Sequence, residues 1–248
     1  MRSLFAGLFA LGLVACGQGA QDAQAQDGNW TQDELEELVH AYIVNNPEVI
    51  EQALIELQRR ARQREQSSLF ESVENSSAAL FEDPRDPVAG PDDAAVTIVE
   101  FFDYKCGFCR RSHEWVTDVL DEHGDQVRFV FKEFPVLGPE SVEASRAALA
   151  VWRTQPERYL AFHDAMMGSS GPLPSARIDD LAEDSGVNVE TMRTEMESEA
   201  VSDHIAEIRA LAQNIGITGT PFFIVGDAVI PGADIAGLER ALGEALGG

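Results

Sequence analysis

Apolar positions recur along this chain in two rhythms, and the change from one to the other divides it. Behind a Thr31/Glu34 capping-box pair the rhythm is helical, with Leu35, Leu38, Val39, Tyr42 and Ile43 on one stripe. Pro47 interrupts it, and a second stripe follows through Val49, Ile50, Ala53, Leu54 and Leu57. Arg59 to Glu65 is almost wholly polar before Leu69, Phe70 and Val73 resume the pattern. A helical arm of this kind, residues 30–82, cannot bury its stripe alone. It packs either on its own domain or on the same arm of another subunit. Pro84, Pro87, Gly90 and Pro91 then mark a linker over residues 83–93.

Past the linker the pattern shifts to short apolar runs. Val96, Ile98, Val99, Phe101 and Phe102 make a β-branched and aromatic strand of the buried kind. A helix runs from the cysteines near residue 106 to about Glu122, Gly124 breaks it, and Val127 to Phe134 is apolar again. This strand, helix, strand order predicts two parallel strands joined by a right-handed crossover. Residues 139–215 show helical periodicity with breaks at 168–174 and Gly186, a helical insertion. Phe222 to Val225 and Ala228 to Ile230 flank Gly226-Asp227 as a hairpin, and Ile235 to Leu246 closes the chain as a helix. An α/β domain over residues 94–248 follows.

The start of the chain belongs to neither rhythm. Arg2 and the apolar stretch Leu4 to Val14, too short to span a bilayer, read as an export signal over residues 1–16. Leu13-Val14-Ala15-Cys16 resembles a bacterial lipobox, which implies a lipid on Cys16 and a membrane anchor; cleavage after Ala23-Gln24-Ala25 is the alternative. Residues 17–29, rich in Gln, Asp, Gly and Ala, read as a flexible tether. With 43 acidic against 18 basic residues and no basic stripe, no nucleic-acid partner is expected.

Setting Cys16 aside, the exported body keeps only Cys106 and Cys109, so no disulfide framework staples the fold. A bridge across so short a loop would stabilise little, and a redox tool is the better reading. Cys106 falls where an apolar strand gives way to a helix. Unpaired N–H groups and a partial positive charge there favour thiolate. Cys109 lies one turn on, on the same side. Two readings compete. Thiolates at this spacing also suit Cu(I) or half a zinc site, but there is no second CxxC, and His113, the only third ligand nearby, reads as a solvent-facing residue of the helix. Arg110 after Cys109 excludes haem attachment. The other competitor is a chaperone that only holds unfolded clients, and it would survive Cys106→Ser.

The sequence Cys106-Gly107-Phe108-Cys109 after an apolar strand, Gly219-Thr220-Pro221 before a later one, and the helical insertion between them together resemble the DsbA-like branch of the thioredoxin superfamily, over residues 94–246. The resemblance implies an α/β, thioredoxin-like fold with a helical insertion, preceded by the helical arm. It implies a periplasmic thiol:disulfide oxidoreductase that needs no cofactor and no metal and acts on exported cysteine-containing clients with a membrane redox partner. Cys106 would attack and Cys109 resolve. Pro221 would be cis beside them, and Thr220, Gly107 and Phe108 would meet the client chain. The family also places a charged pair under the cysteines to assist proton transfer, which falls on Glu100 and Lys132. Strand alternation leaves open that one of the two points to solvent. Asn45-Asn46-Pro47-Glu48-Val49-Ile50 resembles the arm of proteins related to the suppressor-of-copper-sensitivity family, which implies a homo-oligomer through residues 30–82 and an isomerase role. Strongly oxidising members carry a histidine between the cysteines. Gly107-Phe108 has none, although Lys105, Arg110 and Arg111 supply positive charge nearby, so the direction of exchange stays open.

Overall fold

A computed structural model describes residues 30–247; the signal segment with Cys16, and the tether over 17–29, lie outside the described residues. The chain divides into two compact units after Gln58. In the first, α1 (Gln32–Asn45) starts at a reciprocal cap in which Thr31 Oγ1 accepts from the Glu34 N–H at 3.3 Å and Glu34 Oε2 accepts from the Thr31 N–H at 3.0 Å. Pro47 separates it from α2 (Glu48–Asn75). No residue of α1 is buried, and the stripe expected from the sequence is uncovered: Leu38 is 53% and Leu54 55% exposed.

The second unit is built on a five-stranded sheet in the order β1-β3-β2-β4-β5. β1 (Val88–Ala89) pairs antiparallel with β3 (Val127–Glu133), which runs parallel to β2 (Val96–Phe102). β4 (Phe222–Val225) and β5 (Ala228–Pro231) complete it as an antiparallel hairpin on the other side of β2. Between β2 and β3 lies α4 (Gly107–His123). Five helices fill the insertion between β3 and β4: α5 (Pro139–Thr154), α6 (Pro156–Gly168), α7 (Ser175–Asp184), α8 (Val189–Met196) and α9 (Glu199–Ile215). The last helix is α10 (Ile235–Gly247). Among the described residues no helix is long and apolar enough to cross a membrane.

Strand alternation sorts the core into two layers. Ile98, Phe102, Phe129, Phe131 and Phe223 face Trp115, Val116 and Val119 of α4 and the insertion helices α5–α8. Val99, Phe101, Val130, Phe222 and Ile224 face Ile208, Ala212 and Ile215 of α9. Leu69 and Val73 of α2, and Leu80 and Phe81 of α3 (Ser77–Phe81), join this second layer. Residues 69–81 therefore pack on the sheet, unlike the uncovered helix before them, because their apolar side chains meet an open sheet face. Gly216 ends α9 at φ 92°, a left-handed conformation that lets the N–H groups of Gly216 and Ile217 both reach Ala212 O. Gly90 is required for a different reason: a Cβ there would lie 2.2 Å from the Val127 carbonyl oxygen of β3.

Candidate active site

β2 delivers the chain to the site. After Phe102 it turns through Asp103, Tyr104 and Lys105, and Cys106 becomes the N-cap of α4, its own N–H donating to Asp103 O at 2.9 Å. In the extended cap conformation, Cys106 Sγ folds over the first helical turn and accepts from the Cys109 N–H at 3.4 Å. On its other side it lies 3.3 Å from the Thr220 carbonyl oxygen. The Thr220-Pro221 peptide is cis. Both cysteines are free thiols; Cys106 keeps 6% of its surface and Cys109 none. Phe108, between them, is 57% exposed beneath the Arg111 guanidinium, 5.1 Å from its ring centroid.

Electrostatics separate the two sulfurs. The Cys106 thiol is pulled down to about 5, first because the Cys109 thiol hydrogen-bonds to it, with Thr220 and the N–H groups of Cys109 and Phe108 adding against the cost of burial. Burial pushes the Cys109 thiol far up, and its hydrogen bond to Cys106 and the Glu100 carboxylate push the same way. Of the nearby cations, Lys105 is drawn to Glu140 at 2.7 Å and Arg110 to the Ser169 carbonyl at 3.2 Å.

Glu100 lies on the sheet face that carries the cysteine helix, since its register partners Phe131 and Phe223 belong to that layer. It is 1% exposed, its Oε1 has no hydrogen-bond partner among the described residues, and burial together with the Cys106 charge raises it to about 8. Lys132 is not beside it. Lys132 pairs in register with Phe101 and so emerges on the opposite face, where Nζ forms a buried ion pair with Asp86 and donates to Ala79 O at 2.5 Å. Asp86 Oδ1 also meets His204 Nε2 at 3.0 Å. The expected Glu100–Lys132 pair is therefore corrected: matching distance along each strand is not enough, because the parallel register puts the two side chains on different sides of the sheet.

His113 also departs from expectation. It stands one turn after Cys109 on the inner face of α4 and is 9% exposed, not solvent-facing.

Several site residues escaped the sequence reading. Asp103, fully buried, accepts from the Lys105 N–H at 2.8 Å and from the Val136 and Leu137 N–H groups at 2.8 and 2.9 Å. One carboxylate so ties the CxxC turn to the loop after β3, whose Val136 and Leu137 are 45% and 48% exposed. Glu133, also fully buried and raised to about 8 by burial, accepts at Oε1 from the hydroxyls of Tyr104 at 3.0 Å and Tyr159 at 3.3 Å. Its parity with Phe129 and Phe131 along β3 was the signal that could have found it.

Comparison with known proteins bears on this geometry. Residues 97–243 match the DSBA-like thioredoxin domain family, and residues 32–64 match the copper resistance protein ScsC N-terminal domain. Disulfide bond formation protein D of Bacillus subtilis is 30% identical over 155 residues, covering 58% of this chain and 69% of that protein. Several bacterial Na(+)/H(+) antiporters also match, but this chain spans only 22–27% of their length. Among solved structures, a linker-deletion variant of Proteus mirabilis ScsC aligns with a TM-score of 0.68 at 27% identity, covering 89% of this chain and 99% of that one. A thioredoxin-like oxidoreductase from Silicibacter pomeroyi aligns with a TM-score of 0.64 at 41% identity, covering 69% and 98%. With the family match spanning more than half of its length, this chain belongs to the DsbA-like thioredoxin family and is a protein thiol:disulfide oxidoreductase.

Proposed function

We propose that the protein works in the bacterial cell envelope, forming or isomerising disulfides in exported proteins through the Cys106/Cys109 pair. The observation that carries this reading is the asymmetry of the two thiols: Cys106 caps the helix, keeps a sliver of exposed surface and has its pKa drawn down, whereas Cys109 is fully enclosed and has its pKa pushed up. In the oxidised protein a client thiolate attacks Cys106, the Cys106–Cys109 bond breaks and Cys109 leaves. A second client thiol then displaces Cys106, so the client is oxidised and the pair reduced. In the reduced protein, Cys106 attacks a wrong client disulfide and releases it after reshuffling. Phe108 and the chain at Thr220-Pro221 flank the attacking sulfur and are placed to hold an extended client strand. The signal segment at residues 1–16, with Cys16 as a lipid anchor, supports an envelope location, and a membrane redox partner would reset the pair. The test is catalysis of insulin reduction and of scrambled-substrate refolding, together with the reduction potential of the pair. A protein inactive in both assays would sink the proposal.

Glu100 is assigned the proton exchange with Cys109. Ionised only above a pH of about 8, it accepts a proton from Cys109 more readily as pH rises through that value. Burial alone holds Glu100 up in the mixed disulfide, where Cys106 carries no charge, so the rate at which Cys109 resolves it is expected to step up at or somewhat below pH 8. In Glu100→Gln the step disappears, as stopped-flow measurement across pH 6 to 10 would show, values that bracket the assigned ionisation.

The arm supports self-association. Its uncovered stripe over residues 35–57 and the match of residues 32–64 to the ScsC N-terminal domain favour pairing of this part of the 30–82 arm with a second copy over a solitary arm, residues 69–81 being taken up by the chain's own sheet. Full-length protein is expected to sediment as an oligomer, and Leu38→Glu with Leu54→Glu to convert it to monomer while leaving insulin reduction intact and weakening isomerisation. A monomeric parent protein would remove the isomerase reading.

A further inference from the structure

Behind the cysteine helix, α4 and α6 bring together three side chains that thiol exchange does not use. His113 comes from α4; His163 and Asp164 come from α6. One ligand atom from each lies within 4.8 Å of the other two, and neither cysteine belongs to the group. His113 Nε2 is 3.2 Å from Asp164 Oδ1, and the two imidazole rings meet edge to face at 5.2 Å.

The state of His163 is the telling feature. It is fully buried, and its Nδ1 lies 2.9 Å from the Tyr104 hydroxyl. With that hydroxyl donating its single proton to Glu133 Oε1, we assign His163 the tautomer whose proton sits on Nδ1 and completes the contact. Nε2 is then the bare nitrogen, and it has no hydrogen-bond partner. An unpaired lone pair in a dry interior is costly unless something occupies it. A second imidazole nitrogen, His113 Nδ1, is buried without a partner as well. Fixing one tautomer by a hydrogen bond from outside the ligand set is how metal-binding histidines are held, and here the order Glu133, Tyr104, His163 supplies that hydrogen bond.

We propose that His113, His163 and Asp164 form a binding site for one divalent transition-metal ion of the zinc class, clamped between α4 and α6. Two imidazoles and a carboxylate suit borderline cations such as Zn(II) and exclude hard ones such as Mg(II), which prefer an all-oxygen shell. Around a tetrahedral zinc the donors stand about 3.4 Å apart, given metal–ligand distances near 2.0–2.2 Å. His113 and Asp164 already stand at that spacing, 3.2 Å apart, and all three donors lie within 4.8 Å, so closing the set takes side-chain shifts of about an ångström by His113 and Asp164 around the buried His163. Of the three, Asp164 is nearest the solvent, its side chain 42% exposed. The site is separate from the thiols and stands whether or not the redox reading does.

The test uses the tag-free full chain with Cys16→Ser, Cys106→Ser and Cys109→Ser, which removes all three thiols as competitors. It is titrated with Zn(II) in excess Mg(II) to suppress weak binding by a surface of net charge -25. One equivalent is expected to bind and to raise the thermal midpoint. Asp164→Ala is expected to weaken binding about tenfold or more and to remove the thermal shift, and His163→Gln to abolish both. Should His163→Gln fail to fold, Asp164→Ala and His113→Gln carry the test. Zinc binding unchanged in those two variants, or no binding beyond what Mg(II) displaces, overturns the proposal.

Discussion

Replacing Cys106 by serine is expected to reduce insulin reduction and scrambled-substrate refolding to the uncatalysed rate, whereas Cys109→Ser should keep the attack and accumulate a mixed disulfide with the client. The difference follows from the environments of the two sulfurs. With its pKa at about 5, Cys106 is thiolate at neutral pH, where an ordinary thiol is only a few per cent ionised. That gain in thiolate is largely offset by weaker nucleophilicity, which falls with basicity. The real advantage lies in leaving: a stable Cys106 thiolate departs easily from a mixed disulfide and hands the bond to the client. Stabilising the reduced form on the order of 2 kcal/mol raises the potential of a two-electron couple by ~40 mV. The pair is accordingly expected to be more oxidising than its Gly107-Phe108 dipeptide suggests. Mass spectrometry of trapped complexes checks the first statement, and equilibration with glutathione the second. Exchange activity surviving Cys106→Ser would point to a holdase with adventitious thiol chemistry.

The second large effect concerns stability. Lys132→Met is expected to destabilise the fold by about 3–5 kcal/mol without slowing exchange in the protein that remains folded. Lys132 and Asp86 are each 1% exposed and His204 only 4%, so removing the cation strands the Asp86 carboxylate in a dry interior with only the histidine beside it. The pair joins β3 to the segment before β1 on the sheet face away from the cysteines. Urea unfolding followed by circular dichroism measures the loss, and the double substitution Lys132→Met with Asp86→Leu should recover part of it. If instead exchange slowed while stability held, Lys132 would return to the catalytic group.

The comparison of these two residues shows what the sequence carried and what it did not. The β2, α4, β3 order, the break at Gly124 and the closing hairpin and helix were all readable, because apolar rhythm reports which local surface needs covering. The position of Cys106 at a helix cap was readable for the same reason. Register was not. Whether Lys132 lies on the side of Glu100 or behind it depends on how two strands slide past one another, and one residue of slip reverses the answer. His113 was legible in principle, since a residue four positions after the buried Cys109 shares its helix face, but a lone polar letter drew attention to solvent instead. Asp103 was out of reach, because its partners Val136 and Leu137 lie in a loop that only the folded chain brings near.

The sheet is blunt at both ends. β1 is two residues long, and β5 is a short edge strand that finishes on Pro231, which has no N–H to offer. For the extended client chains proposed here, any long free edge would template addition strand upon strand. Here neither flank provides such a seat. Catalyst and client can therefore meet repeatedly at the sulfur and part again, instead of growing into a shared aggregate.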